Sequence, residues 1–118
     1  RQAARAWGCI VILKGASTCI AKPDGMAAIN VTGTSGLATG GSGDILTGLL
    51  LGLLAQKAEP FAAACAAVWL LGTASELSAE KLGCPAQLPR DVLSALPGAV
   101  NLLYQYKCGR EYFGLEKI

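Results

Sequence analysis

NVTGTSGLATGGSGDILTGLLLGLLAQ, residues 30–56, carries the clearest structural pattern in this sequence. It begins at the end of an apolar, strand-like run, passes through the glycine-rich turn Gly40-Gly41-Ser42-Gly43, and continues as an apolar segment of helical character. Glycines let a backbone approach an anion closely, and the first N–H groups of a helix have no intrahelical partner. A strand, a glycine turn and a helix in this order predict a phosphate-binding site at the helix N-terminus.

Asp44 stands at the predicted start of this helix, and two roles are open to it. Aspartate is a common N-cap, so the residue could simply cap the helix. The chain contains no His, however, and a general base at this site is therefore expected to be a carboxylate.

Two phosphate-binding motifs are excluded. A P-loop needs Gly-Lys-Ser/Thr where Gly43 and Asp44 stand, and a dinucleotide-binding turn needs a small residue where Leu46 stands.

An apolar run upstream, CIVIL at residues 9–13, is typical of a strand buried on both faces of a parallel sheet. It is followed by Lys14, Gly15, Ala16, Ser17 and Thr18. A Lys and a Gly at the carboxyl end of a buried strand lie where open α/β sheets bind ligands. An ordinary turn with a solvated Lys fits the same residues, and position alone does not separate the two interpretations.

The remaining elements are predicted from turn and helix signals. Lys22-Pro23-Asp24-Gly25 favours a tight turn that joins two strands, at residues 18–21 and 26–31, into a hairpin. Helices are predicted at residues 1–8, 61–82, 90–96 and 98–106, the last two divided at Pro97. Residues 107–118 are expected to form a loosely ordered tail. The predicted fold class is α/β, with a mostly parallel sheet, a β-hairpin and flanking helices.

Composition and charge argue against several classes of partner. The net charge of +2 is too small to predict binding to nucleic acid, and the apolar runs at 45–55 and 61–74 are shorter than a membrane-spanning helix. Hydrophobic residues make up 53% of the chain, which predicts a surface covered in a homo-oligomer or by a missing N-terminal half. Five cysteines without CxxC spacing, and no His, argue against a structural zinc site and favour a reduced, cytoplasmic protein.

Four motifs occur in a characteristic order and spacing: LKGAST at 13–18, PDG at 23–25, NVTG at 30–33 and GLATGGSGDILTG at 36–48. In this respect the sequence resembles the NAD(P)H-hydrate dehydratases, repair enzymes of the ribokinase-like superfamily. The resemblance extends over roughly residues 4–96, and its GGSGD turn alone would indicate only the superfamily. It implies a ribokinase-like fold of which residues 1–118 form the carboxyl-terminal part, the upstream strands and helices being absent.

The resemblance also implies a reaction. Hydrated NADH or NADPH carries an added ring hydroxyl, which these enzymes are thought to phosphorylate with ADP or ATP, after which phosphate leaves and the double bond returns. Asp44 matches the acid that contacts the substrate and activates this hydroxyl. Gly41, Ser42 and Gly43 match the anion hole, whose backbone N–H groups hold the transferred phosphate. Gly43 also matches a position beside the nucleotide, and Gly40 of the same turn is expected to bind the nucleotide. Lys14, Gly15, Ala16, Ser17 and Thr18 match the loop of the nucleotide site. Mg²⁺ is implied as a companion of the nucleotide, with no protein ligand visible in this sequence.

Some features of the sequence leave other interpretations open. Many members of the family have a His where Leu71 precedes Gly72, and residues 110–118 match no family motif. A first alternative is a small-molecule kinase of the same superfamily, acting on a vitamin precursor. A second is a non-catalytic half that needs a partner chain. The NVTG motif at residues 30–33 favours the dehydratase, and whether ADP or ATP donates the phosphate stays open.

Overall fold

The computed structural model of the protein describes residues 1–105, and the predicted tail at 107–118 lies outside them. Its elements, in chain order, are helix α1 (Gln2–Trp7), strands β1 (Val11–Leu13), β2 (Thr18–Ala21) and β3 (Ala27–Asn30), a 3₁₀ helix (Ser35–Leu37), helices α2 (Ser42–Ala55) and α3 (Pro60–Leu82), a second 3₁₀ helix (Cys84–Ala86), and helix α4 (Pro89–Gln105). The predicted α/β class and the order of strands and helices are confirmed.

The three strands form one sheet in the order β1-β2-β3, and both pairs are antiparallel. The mostly parallel sheet predicted from the sequence is therefore not found among the described strands. Residues 14–17 and 22–26 are the two connections, and both are too short for the crossover that parallel pairing requires. The apolar run also predicted that β1 is buried on both faces, which is wrong at its end, where Leu13 is exposed.

The hairpin between β2 and β3 forms as predicted. The backbone N–H of Lys22 donates to the carbonyl oxygen of Met26 at 2.8 Å, and Gly25 adopts a φ of 96° that suits glycine. The carboxylate of Asp24 accepts from the N–H of Met26 at 2.8 Å and pairs with the Lys22 ammonium at 3.5 Å. Asp24 is thus a turn residue.

Helix α3 is the centre of the fold. It begins with Pro60 at its first turn and ends at Gly83, in agreement with the sequence signals. Five of its alanines are almost completely buried, and their small side chains allow α2, α4 and the sheet to approach the helix closely: Ala63, Ala64, Ala66, Ala67 and Ala74. Ile20 of β2 contributes to the same hydrophobic core. The sheet, α2 and α4 are therefore held in fixed positions around one helix.

Helix α3 has 23 residues and is longer than the apolar run at 61–74, which was judged too short to span a membrane. By length and composition alone it could cross a membrane, and it is the one such helix in the described part of the chain. Within its most apolar window, 67% of the residues are buried inside the fold, as in the core helix of a soluble protein. The burial explains the apolar composition without a membrane.

The predicted break at Pro97 is wrong, because α4 runs without interruption from Pro89 to Gln105. A proline inside a helix leaves the carbonyl four residues earlier without its partner. Here Pro97 and Leu93 are both exposed, so water can satisfy that carbonyl. Val92 and Ala99, on either side of the proline, are buried in the core. Tertiary packing of both halves thus outweighs the local preference for a break.

Candidate functional site

The two segments that the sequence analysis singled out for ligand binding meet in the fold. Lys14 follows β1, and its ammonium donates a hydrogen bond of 2.7 Å to Oγ of Ser42, the first residue of α2. The hydroxyl of the buried Ser42 donates in turn to the carbonyl oxygen of Leu37 at 2.8 Å. Within residues 1–105, no carboxylate pairs with Lys14. A free cation and a helix N-terminus are thus adjacent, an arrangement that attracts an anion.

The glycine turn before α2 is open on its outer side. Gly41 is the N-cap at a φ of 99°, and its carbonyl oxygen accepts the N–H groups of Asp44 and Ile45. The N–H groups of Ser42 and Gly43, at the first two helical positions, have no intrahelical carbonyl to bind. A Cβ added at Gly43 would meet no atom within 4 Å. Since Gly43 is also exposed, a ligand can approach its N–H group.

Asp44 does not cap the helix, so the N-cap interpretation is wrong. Gly41 occupies the cap, and Asp44 lies in the first turn with its side chain exposed. Its carboxylate makes no hydrogen bond or ion pair with any residue that the structure describes. An unpaired carboxylate beside the N-terminus of α2 is available to a ligand, and its catalytic role stays a prediction.

A cleft of about 640 Å³ opens beside the contact between Lys14 and Ser42. Five predicted ligand-binding residues line it: Lys14, Gly15, Ala16, Thr18 and Ser42. The other predicted site residues lie outside its lining: Ser17, Gly40, Gly41, Gly43 and Asp44. Its buried apolar lining consists of Leu46, Val68 and Leu71. A mostly apolar cleft with a few polar groups at one end suits a flat ligand that carries an anionic group.

Residues from the end of β3 to the first 3₁₀ helix form much of the cleft wall, and none of them was predicted as a site residue. Asn30, Thr32 and Thr34 all line the cleft. The amide of Asn30 donates to the carbonyl oxygen of Thr32 at 2.9 Å, and its Oδ1 accepts from the Thr32 hydroxyl at 3.0 Å. The NVTG motif at residues 30–33 was the available signal, and it favoured the dehydratase without assigning a residue to the site.

A second cavity, a groove of about 720 Å³, lies between α2 and α4. Its lining is almost entirely apolar and includes Leu49, Leu53, Leu96 and Leu103. Asp44 belongs to this groove and not to the cleft that Ser42 lines. The first turn of α2 therefore contributes to two separate cavities.

The described residues show no metal site and one perturbed thiol. Within residues 1–105, no three His, Cys, Asp or Glu side chains come together to hold a metal ion. The described cysteines are free thiols: Cys9, Cys19, Cys65 and Cys84. Burial, together with the nearby charge of Glu59, raises the pKa of the Cys65 thiol. A raised pKa makes a thiol less reactive, which fits a packing role on α3.

Known sequences with the same pattern are repair enzymes of hydrated nicotinamide cofactors. The sequence model of the NAD(P)H-hydrate dehydratase family matches residues 1–98. A bifunctional NAD(P)H-hydrate repair enzyme from Moorella thermoacetica is 46% identical over 94 residues, which are 80% of this chain and 18% of that protein. An ADP-dependent (S)-NAD(P)H-hydrate dehydratase from Neisseria meningitidis serogroup B is 44% identical over 88 residues, or 75% and 30% of the two chains. The chain thus spans less than a third of the length of these relatives.

A solved structure with the same fold comes from Bacillus subtilis. It is an ADP/ATP-dependent NAD(P)H-hydrate dehydratase that was co-crystallised with ATP and Mg²⁺. The two chains superpose with a TM-score of 0.78 at 35% sequence identity, over 86% of this chain and 38% of that one. The expected ribokinase-like fold class is confirmed by this match. Since the family pattern also covers most of its length, the chain belongs to the NAD(P)H-hydrate dehydratase family.

Proposed function

We propose that the protein takes part in the nucleotide-dependent dehydration of hydrated NADH and NADPH. The observation that carries this proposal is the 2.7 Å contact between the Lys14 ammonium and Ser42 Oγ, which holds a cation at the N-terminus of α2. The unpaired carboxylate of Asp44 lies on the same helical turn. A phosphate group and a hydroxyl that accepts it could therefore both be held at this turn.

The cleft is the proposed nucleotide site. Its apolar lining would hold the adenine ring, and Lys14 would attract the phosphates toward the start of α2. The N–H groups of Ser42 and Gly43 would then face the phosphoryl group during its transfer, when its negative charge spreads over the equatorial oxygens. Open space beside Gly43 supports this fit, because no atom lies within 4 Å of the position that a Cβ would take there. The proposal covers both ADP and ATP as donor.

Asp44 is the proposed general base. Its carboxylate would take the proton of the ring hydroxyl while the hydroxyl oxygen attacks the terminal phosphorus of the nucleotide. The nucleotide, shortened by one phosphate, is the leaving group of this step. The C–O bond of the phosphorylated ring then breaks, phosphate leaves with the bonding electrons, and loss of a ring proton restores the double bond. Asp44 lines the groove beside α2, so the ring would approach from that side.

Mg²⁺ is proposed only as a companion of the nucleotide. The described residues do not form a magnesium site, since no three of their acidic or other ligating side chains converge. Magnesium commonly binds through substrate phosphates and retained water, with few protein ligands. The ion would therefore arrive with the phosphates.

We further propose that this part of the fold works together with additional polypeptide, either in a longer protein or in a homo-oligomer. The groove between α2 and α4 is apolar, and three large apolar side chains at the outer side of the sheet are strongly exposed: Leu13 at 68%, Ile29 at 65% and Val31 at 82%. Exposed apolar surface of this kind is typical of an interface. The free thiols suit a reducing compartment, and the proposal therefore includes a cytoplasmic location.

The direct test is the return of NADH absorbance when the protein is mixed with hydrated NADH and either ADP or ATP. Recovery that disappears in an Asp44→Asn variant, with nucleotide binding retained, would support both the reaction and the base. Recovery that survives the substitution would reject Asp44 as the base. A phosphorylated vitamin precursor without restored NADH would favour the kinase. Absence of both nucleotide binding and recovery would refute the catalytic proposal and favour the non-catalytic half.

A further inference from the structure

A glutamine outside the cleft anchors the segment that forms the cleft wall. Gln87 is only 2% exposed and lies between the second 3₁₀ helix and α4. Its Nε2 donates to the backbone carbonyl oxygen of Ser75 at 2.7 Å. Because a carbonyl can only accept, this contact fixes which end of the amide is nitrogen. The opposite end, Oε1, lies 2.9 Å from the Ser75 hydroxyl and 3.0 Å from the Thr34 hydroxyl, and the two hydroxyls are 2.6 Å apart. Because each hydroxyl carries one proton, Oε1 accepts from one of them, and that hydroxyl accepts from the other.

Gln87 is also fitted against the backbone of the same segment. The hydroxyl of Thr34 accepts the N–H of Gly36 at 3.2 Å and so caps the 3₁₀ helix Ser35–Leu37. A Cβ at Gly36 would overlap Oε1 of Gln87 and come within 2.9 Å of its Cδ. Glycine is therefore required at this position by the close approach of the glutamine. The side chain and the segment fix each other's position.

From this segment, hydrogen bonds continue to the candidate phosphate site. The carbonyl oxygen of Leu37, the last residue of the 3₁₀ helix, accepts from the Ser42 hydroxyl at 2.8 Å. Ser42 accepts from the Lys14 ammonium at 2.7 Å. A connected path thus runs from the buried amide of Gln87, through Thr34 and the 3₁₀ helix, to the cation at the start of α2. Gln87 itself does not line the cleft.

We propose that Gln87 is a positioning residue, which holds the 3₁₀ helix so that Ser42 and Lys14 face a bound phosphate. The inference rests on the proposed nucleotide function and adds to it a residue that does not touch the ligand. Buried polar networks specify one arrangement when all members are satisfied. Replacement of Gln87 by an apolar side chain would leave the Ser75 carbonyl, and the hydroxyl that donates to Oε1, without this partner.

The test combines Gln87→Met with Lys14→Met in a double-mutant cycle, with ADP affinity measured by calorimetry. Met has nearly the length of Gln but cannot hydrogen-bond through an amide. We expect Gln87→Met to weaken ADP binding about tenfold, the size of one lost hydrogen bond. In the Lys14→Met background the same substitution should have little effect, because its effect passes through Lys14. Equal weakening in both backgrounds would overturn the inference.

A matched control separates positioning from general loss of stability. Val92→Ala removes buried volume on α4, away from the hydrogen-bonded path, and should lower stability without weakening ADP binding. If Val92→Ala weakened ADP binding as much as Gln87→Met, the effect would be general instability and the inference would fail.

Hydrogen exchange distinguishes failure of this inference from failure of the proposed function, because it needs no ligand. Gln87→Met should speed exchange at the N–H groups of Gly36 and Leu37 about tenfold, while amides in the middle of α3 keep their protection. Unchanged exchange at Gly36 would overturn the positioning role, even in a protein that binds ADP. If Gln87→Met sped exchange at Gly36 but the protein bound no ADP, the anchoring of the 3₁₀ helix by Gln87 would be supported and only the nucleotide site would be refuted.

Discussion

Replacement of Gly72 by Ala should destabilise this fold, although Gly→Ala inside a helix normally stabilises it. Gly72 lies within α3, directly against Thr32 of the cleft wall. A Cβ at this position would overlap the Thr32 hydroxyl and come within 2.7 Å of its carbonyl oxygen and 2.8 Å of its carbonyl carbon. Two of these atoms belong to the backbone, so rotation of a side chain cannot relieve the overlap.

The backbone around Thr32 is itself held in place. The N–H of Gly33 donates to the carboxylate of Glu76 at 2.8 Å, and the amide of Asn30 donates to the Thr32 carbonyl oxygen at 2.9 Å. Overlap against a fixed backbone should cost about 3 kcal/mol, the upper end for overpacked sites. The higher helix propensity of Ala offsets about 1 kcal/mol of this. The net loss of unfolding free energy should therefore be about 2 kcal/mol.

Gly52→Ala is the matched control, because a Cβ at Gly52 in α2 would meet no atom within 4 Å. It should raise the unfolding free energy by about 1 kcal/mol through helix propensity alone. Urea denaturation followed by tryptophan fluorescence measures both variants, with Trp69 in α3 as a reporter near Gly72. A Gly72→Ala variant as stable as Gly52→Ala would show that Thr32 does not lie against α3, and the cleft geometry would be refuted with it.

Three further predictions concern charge, titration and exposed surface. Lys14→Met should weaken ADP binding about tenfold in calorimetry and reduce its salt dependence. It should leave urea stability nearly unchanged, because Lys14 is exposed. The pKa of Cys65 lies above its ordinary value of 9.0 through burial and Glu59, so the folded state keeps a proton that the unfolded state releases. Stability should therefore fall as pH rises above 9.0, and urea titrations should show a shallower fall for Cys65→Ala. Ile29→Lys should reduce self-association in analytical ultracentrifugation, and an unchanged sedimentation profile would exclude the outer sheet face as an interface.

Local signals were sufficient for most helix ends and turns. Gly8 ends α1 at a φ of 65°, Pro60 begins α3, and Gly83 follows its last residue, all as the sequence indicated. Each of these positions depends on the conformational range of one residue. Pro97 shows the limit of such signals, since packing of α4 on the core decides whether the helix continues.

Long-range pairing could not be derived from local patterns. An apolar run such as residues 9–13 indicates a buried strand. Whether the neighbouring strand is parallel or antiparallel depends on the chain connections and on which faces of the sheet are covered. For the site, Lys14 and Ser42 were both predicted, yet their contact joins residues 28 positions apart. Gln87 carried no recognisable signal at all, because a single buried glutamine in a loop looks like any polar loop residue. Its importance depends on Thr34 and Ser75, which only the fold brings together.

The separation of Ser42 and Asp44 into different cavities follows from helix geometry. Successive residues of an α-helix are rotated by about 100° around its axis. Ser42 and Asp44, two positions apart, are therefore rotated by about 200° and lie on nearly opposite sides of the helix. One turn of α2 therefore presents the Ser42 hydroxyl to the cleft and the Asp44 carboxylate to the groove. In the proposed reaction the nucleotide and the hydrated ring would approach this turn from opposite sides, with the free N–H groups between them. In-line phosphoryl transfer needs the attacking and leaving oxygens on opposite sides of the phosphorus, and under this proposal the first turn of α2 would hold one ligand group on each side.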